Sequence, residues 1–396
     1  MTTHTKNDSE GLAEGHSPSD KHRARQGLIA ASSLGMIIRE REPLNLEMPF
    51  GSLDGFITPV DHFFVRSHFP IPQIDVKSWH LSIEGAVKTP LKLTWDELMA
   101  MESHTTPVTL ECAGNGRAFL TPQVSGAQWE RGAVSNAEWT GIPLSTILRM
   151  AGATASAREV ILEGADEGEI KESPRPAGKI RYARSMPLQK ATDDVLLVFK
   201  MNGENLTPAH GFPVRAIVPG WYGMASVKWL SRIIVSDKPF NGYFQTIDYA
   251  YWERGPGGPT LVPISEMQVK AQIARPGFAE ALRGGETYRI CGAAWTSEAE
   301  ITNVDVSVDG GATWQQATLL GEAVRNAWQM WEYDWQVPRV CGKATVIARA
   351  MDSKGRTQPD VRDNDRAGYI VNHLLPVEVT VRSSVEDRGR VENSDR

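Results

Sequence analysis

Thr109-Leu110-Glu111-Cys112-Ala113-Gly114-Asn115-Gly116-Arg117 decides how the rest of the chain is read. With Val108 in front, its first half is a short apolar strand. Its second half is a loop with two glycines and an asparagine, a composition that lets backbone approach a ligand closely. Cys112 stands at the junction. A thiolate in such a loop suits a soft metal or a nucleophile. A lone cysteine there also reads as a half-buried packing residue. The nine residues alone leave both open.

The strands and turns around this segment are mixed with short helices. Residues 79–85 alternate like a strand closing on a turn. Thr94 followed by Glu97 is a capping box opening a short helix. Residues 143–150 read as a helix ending at Gly152, and 195–200 as an apolar strand followed by the Asn202-Gly203 turn. Residues 214–218 and 227–235 read as further strands. This half is α+β, with no repeated βαβ rhythm. From about residue 260 the pattern becomes short strands at regular spacing: 269–273, 287–292, 301–308, 331–337, 344–350 and 377–381. That rhythm predicts an all-β sandwich of immunoglobulin-like size. Gly255-Pro256-Gly257-Gly258-Pro259 reads as the linker between the two.

The chain has 396 residues, and its net charge of −6 argues against bulk nucleic-acid or polybasic membrane binding. No apolar run approaches the ~20 residues of a membrane span. Three cysteines, without C-x-x-C or Cys/His spacing, make no disulfide framework, zinc finger or covalent haem site. Cys291 and Cys341 are expected to be reduced and structural. Residues 1–40 are polar and expected to be disordered. The stretch 27–38 lacks both a paired Arg-Arg and a small-residue cleavage site, so it reads as part of that tail.

The cysteine loop resembles that of the sulfite oxidase family of molybdenum enzymes. Further resemblances follow in the family's order: Phe63-Phe64-Val65-Arg66-Ser67-His68-Phe69-Pro70, Met201-Asn202-Gly203-Glu204, His210-Gly211-Phe212-Pro213-Val214-Arg215, Ser226-Val227-Lys228-Trp229-Leu230 and Asp248-Tyr249. The resemblance implies a sulfite-oxidase-type molybdopterin-binding domain over residues 41–255. It implies an immunoglobulin-like dimerisation domain over 262–385; residues 386–396 are expected to be a disordered tail. The implied cofactors are molybdenum and molybdopterin, with or without a nucleotide extension, and no haem.

In that reading Cys112 is the metal ligand. Arg66 is a pocket arginine whose planar guanidinium can hold two oxygens of a small oxyanion. Tyr249 offers a hydroxyl to the reacting oxygens. Arg117 closes the cysteine loop; many members carry a second arginine where this chain has Gly116. Arg366 matches a segment that sends an arginine into the pocket. The cofactor set is Phe64, Val65, Arg66, Ser67, His68, Cys112, Asp166, His210, Arg215, Ser226, Val227 and Lys228. Among these, His210, Arg215 and Lys228 form a cation cluster for a phosphate, and Asp166 accepts pterin N–H donors. Trp129 is either a pocket-lining or a core residue.

The implied activity is oxidation of sulfite to sulfate by oxo transfer, with electrons passing to a separate acceptor. Nitrate or sulfoxide reduction at the same centre is the alternative, and a non-catalytic dimeric binding protein a remote one. The expected partners are sulfite or a similar oxyanion and a second copy of the chain, with no nucleic acid and no membrane. The expected compartment is the cytoplasm, with the periplasm as the alternative.

Overall fold

The computed structural model describes residues 35–383. Most of the expected N-terminal tail, and the C-terminal one, lie outside the described residues. Within them, Ile37–Glu40 is not a tail: it pairs antiparallel with Asn45–Glu47.

The first half is built on two five-stranded sheets. One has the order Glu204–Asn205, Leu196–Met201, Val134–Pro143, His104–Glu111, with Arg215–Ile217 also paired to Leu196–Met201. The other has the order Leu91–Thr94, His80–Gly85, Leu230–Ser236, Glu159–Glu169, Lys179–Pro187. In it, Leu230–Ser236 runs parallel to His80–Gly85 and antiparallel to Glu159–Glu169. Val227 to Trp229, expected in the Leu230–Ser236 strand, are left out of it. Their backbone turns instead, with Trp229 at φ +50, a left-handed value that non-glycine residues rarely hold. That turn aims Lys228 away from the sheet.

Helices are fewer and shorter than an α+β reading anticipates. Among the described residues they are Trp95–Met99, Leu144–Ala151, Leu188–Asp193 and Tyr243–Thr246. Trp95–Met99 opens with the expected box: Glu97 N donates to Thr94 Oγ1 at 3.3 Å, and Thr94 N donates to Glu97 Oε2 at 2.8 Å. Leu144–Ala151 buries Leu144, Ile147, Leu148 and Ala151, the one-face spacing of an amphipathic helix, and ends on Gly152 at φ +66. Strands carry the rest, so the molecule is mostly β.

The second half has two sheets around one core. The first is ordered Lys270–Arg275, Thr287–Trp295, Gln329–Gln336, Thr318–Leu320; the second Ala281–Arg283, Val377–Arg382, Gly342–Asp352, Ile301–Ser307, Gln315–Gln316. Ile273, Ile290 and Trp331 from the first meet Val304, Val346 and Val379 from the second. All six anticipated strands are present. The three shortest, at 281–283, 315–316 and 318–320, carry too few residues to show a period.

The expected linker is the tip of a hairpin. Ala250–Gly255 pairs with Gly258–Pro263, closing at Gly255 opposite Gly258. A Pro-Gly-Gly cluster punctuates a chain in either setting, and here both flanks are strands. Trp252 and Leu261 lie opposite each other on this hairpin, both exposed. The halves are not loosely joined. Trp295, Trp328 and Ile370 from the second half belong to the same buried cluster as Leu81, Val160 and Tyr222 from the first. Among the described residues no helix is long and apolar enough to cross a membrane.

Candidate active site

His104–Glu111 delivers Cys112 to the floor of a partly open cavity. Strand alternation turns Leu110 and Cys112 toward the cavity and Glu111 away from it. The loop is a tight turn: Asn115 N donates to Cys112 O at 2.9 Å, and Cys112 N donates to Ala133 O at 2.8 Å. Gly116 sits at φ +99, and a Cβ there would lie 2.9 Å from Val371 Cγ1. A side chain at position 116 would therefore meet Val371 of the second half.

Every anticipated cofactor residue lines this cavity, together with Tyr249. Arg66 lies on the wall beside Cys112. Its guanidinium donates to Ser67 O and, at 3.4 Å, to Asn45 Oδ1, which also accepts from Ser67 N at 2.8 Å. Burial pulls the Arg66 pKa down, but Tyr249, Cys112, Glu40 and Asp248 outweigh it and raise it. The cation is held. His68 stacks on Tyr182 with ring centroids 4.6 Å apart, and its Nε2 shares a 2.6 Å hydrogen bond with the Tyr249 hydroxyl. Burial, then Arg66, Lys228 and Arg184, hold His68 well below the usual imidazole range. It is therefore a neutral ring. Burial raises the Tyr249 phenol, keeping its proton. Burial also raises the Cys112 thiol, opposed by Arg66 and Arg117.

The other end of the cavity gathers His210, Arg215 and Lys228. Arg215 donates to His210 O and Ser226 O, both at 3.1 Å, and lies over the Trp139 ring. Its Nε is buried without a partner, and burial lowers its pKa to about 9. Lys228 donates to Ser67 Oγ at 3.0 Å and Ala209 O at 2.9 Å, and burial and Arg215 push it well down. His210 does not add a third cation. Burial, then Arg215 and Lys228, lower it to about 3, and its Nε2 meets Val60 O at 3.1 Å. Asp166 has Oδ1 buried without a partner, and burial raises its carboxyl to about 6.

These orphaned groups have the chemistry of a site for an anion with N–H donors. Two basic side chains, Arg215 and Lys228, lack a carboxylate at bonding distance, and a buried acceptor, Asp166 Oδ1, has nothing to accept from. A phosphorylated pterin answers both, and Cys112 offers a soft sulfur to a metal at the same cavity. The residues fit the molybdenum cofactor.

Three anticipated residues stand elsewhere. Arg117 is buried behind the loop, donating to Gly368 O at 2.9 Å and Ala127 O at 3.1 Å, with its guanidinium over the Tyr369 ring. It does not line the cavity. Arg366 pairs with Asp363 at 3.0 Å and lies 3.9 Å over the Tyr251 ring, so it does not reach the cavity. Its local partners, three residues back and on the hairpin, hold it. Trp129 is fully buried in the core. Cys291 and Cys341 are free, and Cys341 is exposed rather than packed.

Sequence reasoning found Tyr249 but missed Tyr182, Tyr369 and Arg184. Tyr182 lines the cavity. Tyr369, three residues beyond Arg366, packs its ring tilted against Tyr249, with centroids 5.1 Å apart, and donates to Asp248 Oδ1 at 2.7 Å. It is the residue of that loop that approaches the site. Arg184, fully buried, donates to Phe244 O and, at 2.6 Å, to Ile264 O, bracing the segment that carries Tyr249. Ile264 N in turn donates to Tyr249 O at 2.9 Å.

Comparison with known proteins returns related families for both halves. Residues 68–244 match the family described as oxidoreductase molybdopterin binding domain. Residues 262–381 match the Mo-co oxidoreductase dimerisation domain. Mitochondrial sulfite oxidase of Mus musculus is 37% identical over 342 residues, covering 82% of this chain and 61% of the mouse protein. NADH nitrate reductase 1 of Arabidopsis thaliana is 34% identical over 381 residues, 87% of this chain and 40% of that protein. Among solved structures, the sulfane dehydrogenase SoxCD of Paracoccus pantotrophus matches at a TM-score of 0.74 and 28% identity, over 94% of this chain and 92% of that one. The chain spans about three fifths of the length of the mouse sulfite oxidase.

Proposed function

The chain belongs to the sulfite oxidase family of molybdenum enzymes, and on that premise we propose that it oxidises sulfite to sulfate and passes two electrons to a separate acceptor. The observation that carries the reading is the convergence of Arg66, His68, Cys112 and Tyr249 at one cavity. Cys112 would hold the metal. Arg215 and Lys228 would hold the pterin's phosphate end, with His210, Ser226 and Val227 lining the cavity around them, and Asp166 would accept its N–H donors. When bound, this cofactor supplies the two-electron oxo-transfer chemistry.

The chain's own residues do the rest. Sulfite is a small anion, and the fixed Arg66 cation attracts and orients it in a partly desolvated site, where such charge is worth more than in water. Neutral His68 and protonated Tyr249 share one hydrogen bond, so the pair can donate to an oxygen of substrate or product without adding net charge. Each turnover adds one water oxygen and releases two protons and two electrons.

Only Arg66 among the anticipated substrate arginines lines the cavity, so it bears most of the charge recognition. The second half we read as an immunoglobulin-like sandwich that pairs two copies of the chain. Its two sheets around one core and its matched family description support this. Nitrate reduction is the competing reading, because the Arabidopsis relative is a nitrate reductase. Ferricyanide reduction by sulfite, on protein of measured molybdenum content, separates them. Turnover should scale with molybdenum and vanish in Cys112→Ser. Full loading with nitrate turnover but none with sulfite would overturn the proposal.

A further inference from the structure

Glu111, one residue before Cys112, points away from the cavity into a closed set of groups that the proposed chemistry does not use. Lys270 Nζ donates to Glu111 Oε1 at 2.8 Å and to Asn115 O at 3.2 Å. Trp295 Nε1 donates to Glu111 Oε2 at 2.8 Å. Asn115 Nδ2 donates to Glu111 Oε1 at 3.0 Å, and Asn115 Oδ1 accepts from Ala133 N at 3.2 Å. Glu111, Asn115, Lys270 and Trp295 are each at most 2% exposed. Lys270 and Trp295 come from the second half, on Lys270–Arg275 and Thr287–Trp295. Both ends of the turn that aims Cys112 are thus tied to one ammonium group. The same half grips the turn from another side, where Ile370 N donates to Ala113 O at 2.8 Å.

A fully buried ion pair is a poor stabiliser. Both charges lose their hydration, and an apolar pair of the same volume often does as well. The pair's place beneath the metal-binding cysteine offers another account, since groups behind a ligand orient it and tune its metal. We propose that Lys270 is a positioning residue of the metal centre. Through Glu111 and Asn115 it fixes the turn that aims Cys112, and its charge offsets the Glu111 carboxylate so that the centre rests on an electrically neutral floor.

The inference rests on Cys112 holding the metal. Opposed single variants separate a charge effect from a merely structural one. In molybdenum-loaded protein, the midpoint potential of the metal is followed by paramagnetic resonance during a redox titration. Lys270→Met leaves an uncompensated carboxylate under the centre and should shift the potential down. Glu111→Gln leaves an uncompensated ammonium and should shift it up. Glu111→Gln with Lys270→Met should return close to the unmodified value, and Lys270→Arg should stay there. Shifts of the same sign in the two single variants, or none, would overturn the proposal. Should Lys270→Met not fold, Glu111→Gln and the double variant carry the test, and an unmoved potential in Glu111→Gln is then decisive against it. Molybdenum content is measured first. Unmodified protein that takes up no molybdenum under conditions that load a known relative overturns the Cys112 assignment, and this proposal with it. Loaded protein with unmoved potentials overturns the role of Lys270 alone.

Discussion

Arg66 keeps its charge in the cavity, its pKa held above the usual guanidinium value despite burial. A charge-assisted hydrogen bond to a substrate oxygen contributes about 1.5–3 kcal/mol, or roughly 10- to 100-fold. Arg66→Gln should raise the KM for sulfite by about that factor, with a smaller change in kcat; an unchanged KM in steady-state assays would remove Arg66 from substrate binding. Asp166 makes a prediction about pH. Its buried carboxyl titrates near 6 in the folded protein against 3.8 as a free group, so the native state holds an extra proton between those values. Stability therefore falls as pH rises through that window, by up to about 3 kcal/mol from this group. His210, lowered to about 3, acts oppositely over part of the same range, so the informative quantity is a difference. Between about pH 4 and 7, the urea midpoint of cofactor-free Asp166→Asn should rise relative to the unmodified protein; parallel curves would contradict the shift. At this scale Cys112, Arg66, His68 and Tyr249 were readable because each sits in a contiguous segment with a recognisable pattern. Arg184 and Tyr369 were not, because nothing local marks them. They reach Tyr249 only through folding, one from a strand and one from the second half. Arg366 misled because a chemically apt residue lay in the right loop, while an ion pair three residues away and the Tyr251 ring hold it elsewhere.

At the level of elements, local signals worked where the physics is local. The Thr94–Glu97 box, the Leu144–Ala151 stripe and the Asn202-Gly203 turn, with φ +51 and +82, all follow from residues within a few positions of each other. The hairpin at 250–263 did not, because a Pro-Gly cluster marks a reversal without saying whether its flanks pair. Two glycines show the same division. Gly152 caps a helix at φ +66, and its added Cβ would meet only the flexible Lys88 side chain. Gly152→Ala should cost about 1 kcal/mol for the left-handed backbone. Gly132 has no unusual φ, yet a Cβ there would lie 1.6 Å from Met48 O. The neighbouring backbone also holds the Glu47 carboxylate, which accepts from Gly132 N at 2.6 Å and Glu130 N at 3.0 Å. Neither partner can yield without breaking this joint, so Gly132→Ala should cost about 3 kcal/mol, at the top of the range for overpacking. Thermal melts of the two variants rank them; the reverse order would contradict the account. Nothing in the sequence around Gly132 could have announced this.

Across the whole molecule, the division into halves was legible from the change in strand rhythm, but their union was not. Trp295, Trp328 and Ile370 enter the first half's core, and Lys270 and Trp295 close the cysteine turn. Contacts between distant segments leave no period or spacing to read. Because the halves share buried surface and a buried ion pair, they should unfold together. Calorimetry of the cofactor-free protein should show one transition, with calorimetric and van't Hoff enthalpies in agreement; two resolved transitions would mean that the shared core does not couple them. The grip on the cysteine turn also bears on ancestry. A recombination event that exchanged the second half for another sandwich would remove Lys270, Trp295 and Ile370 at a stroke and leave the Cys112 turn with one side uncovered. Any exchange of the second half would therefore have to rebuild the floor beneath Cys112 at the same time.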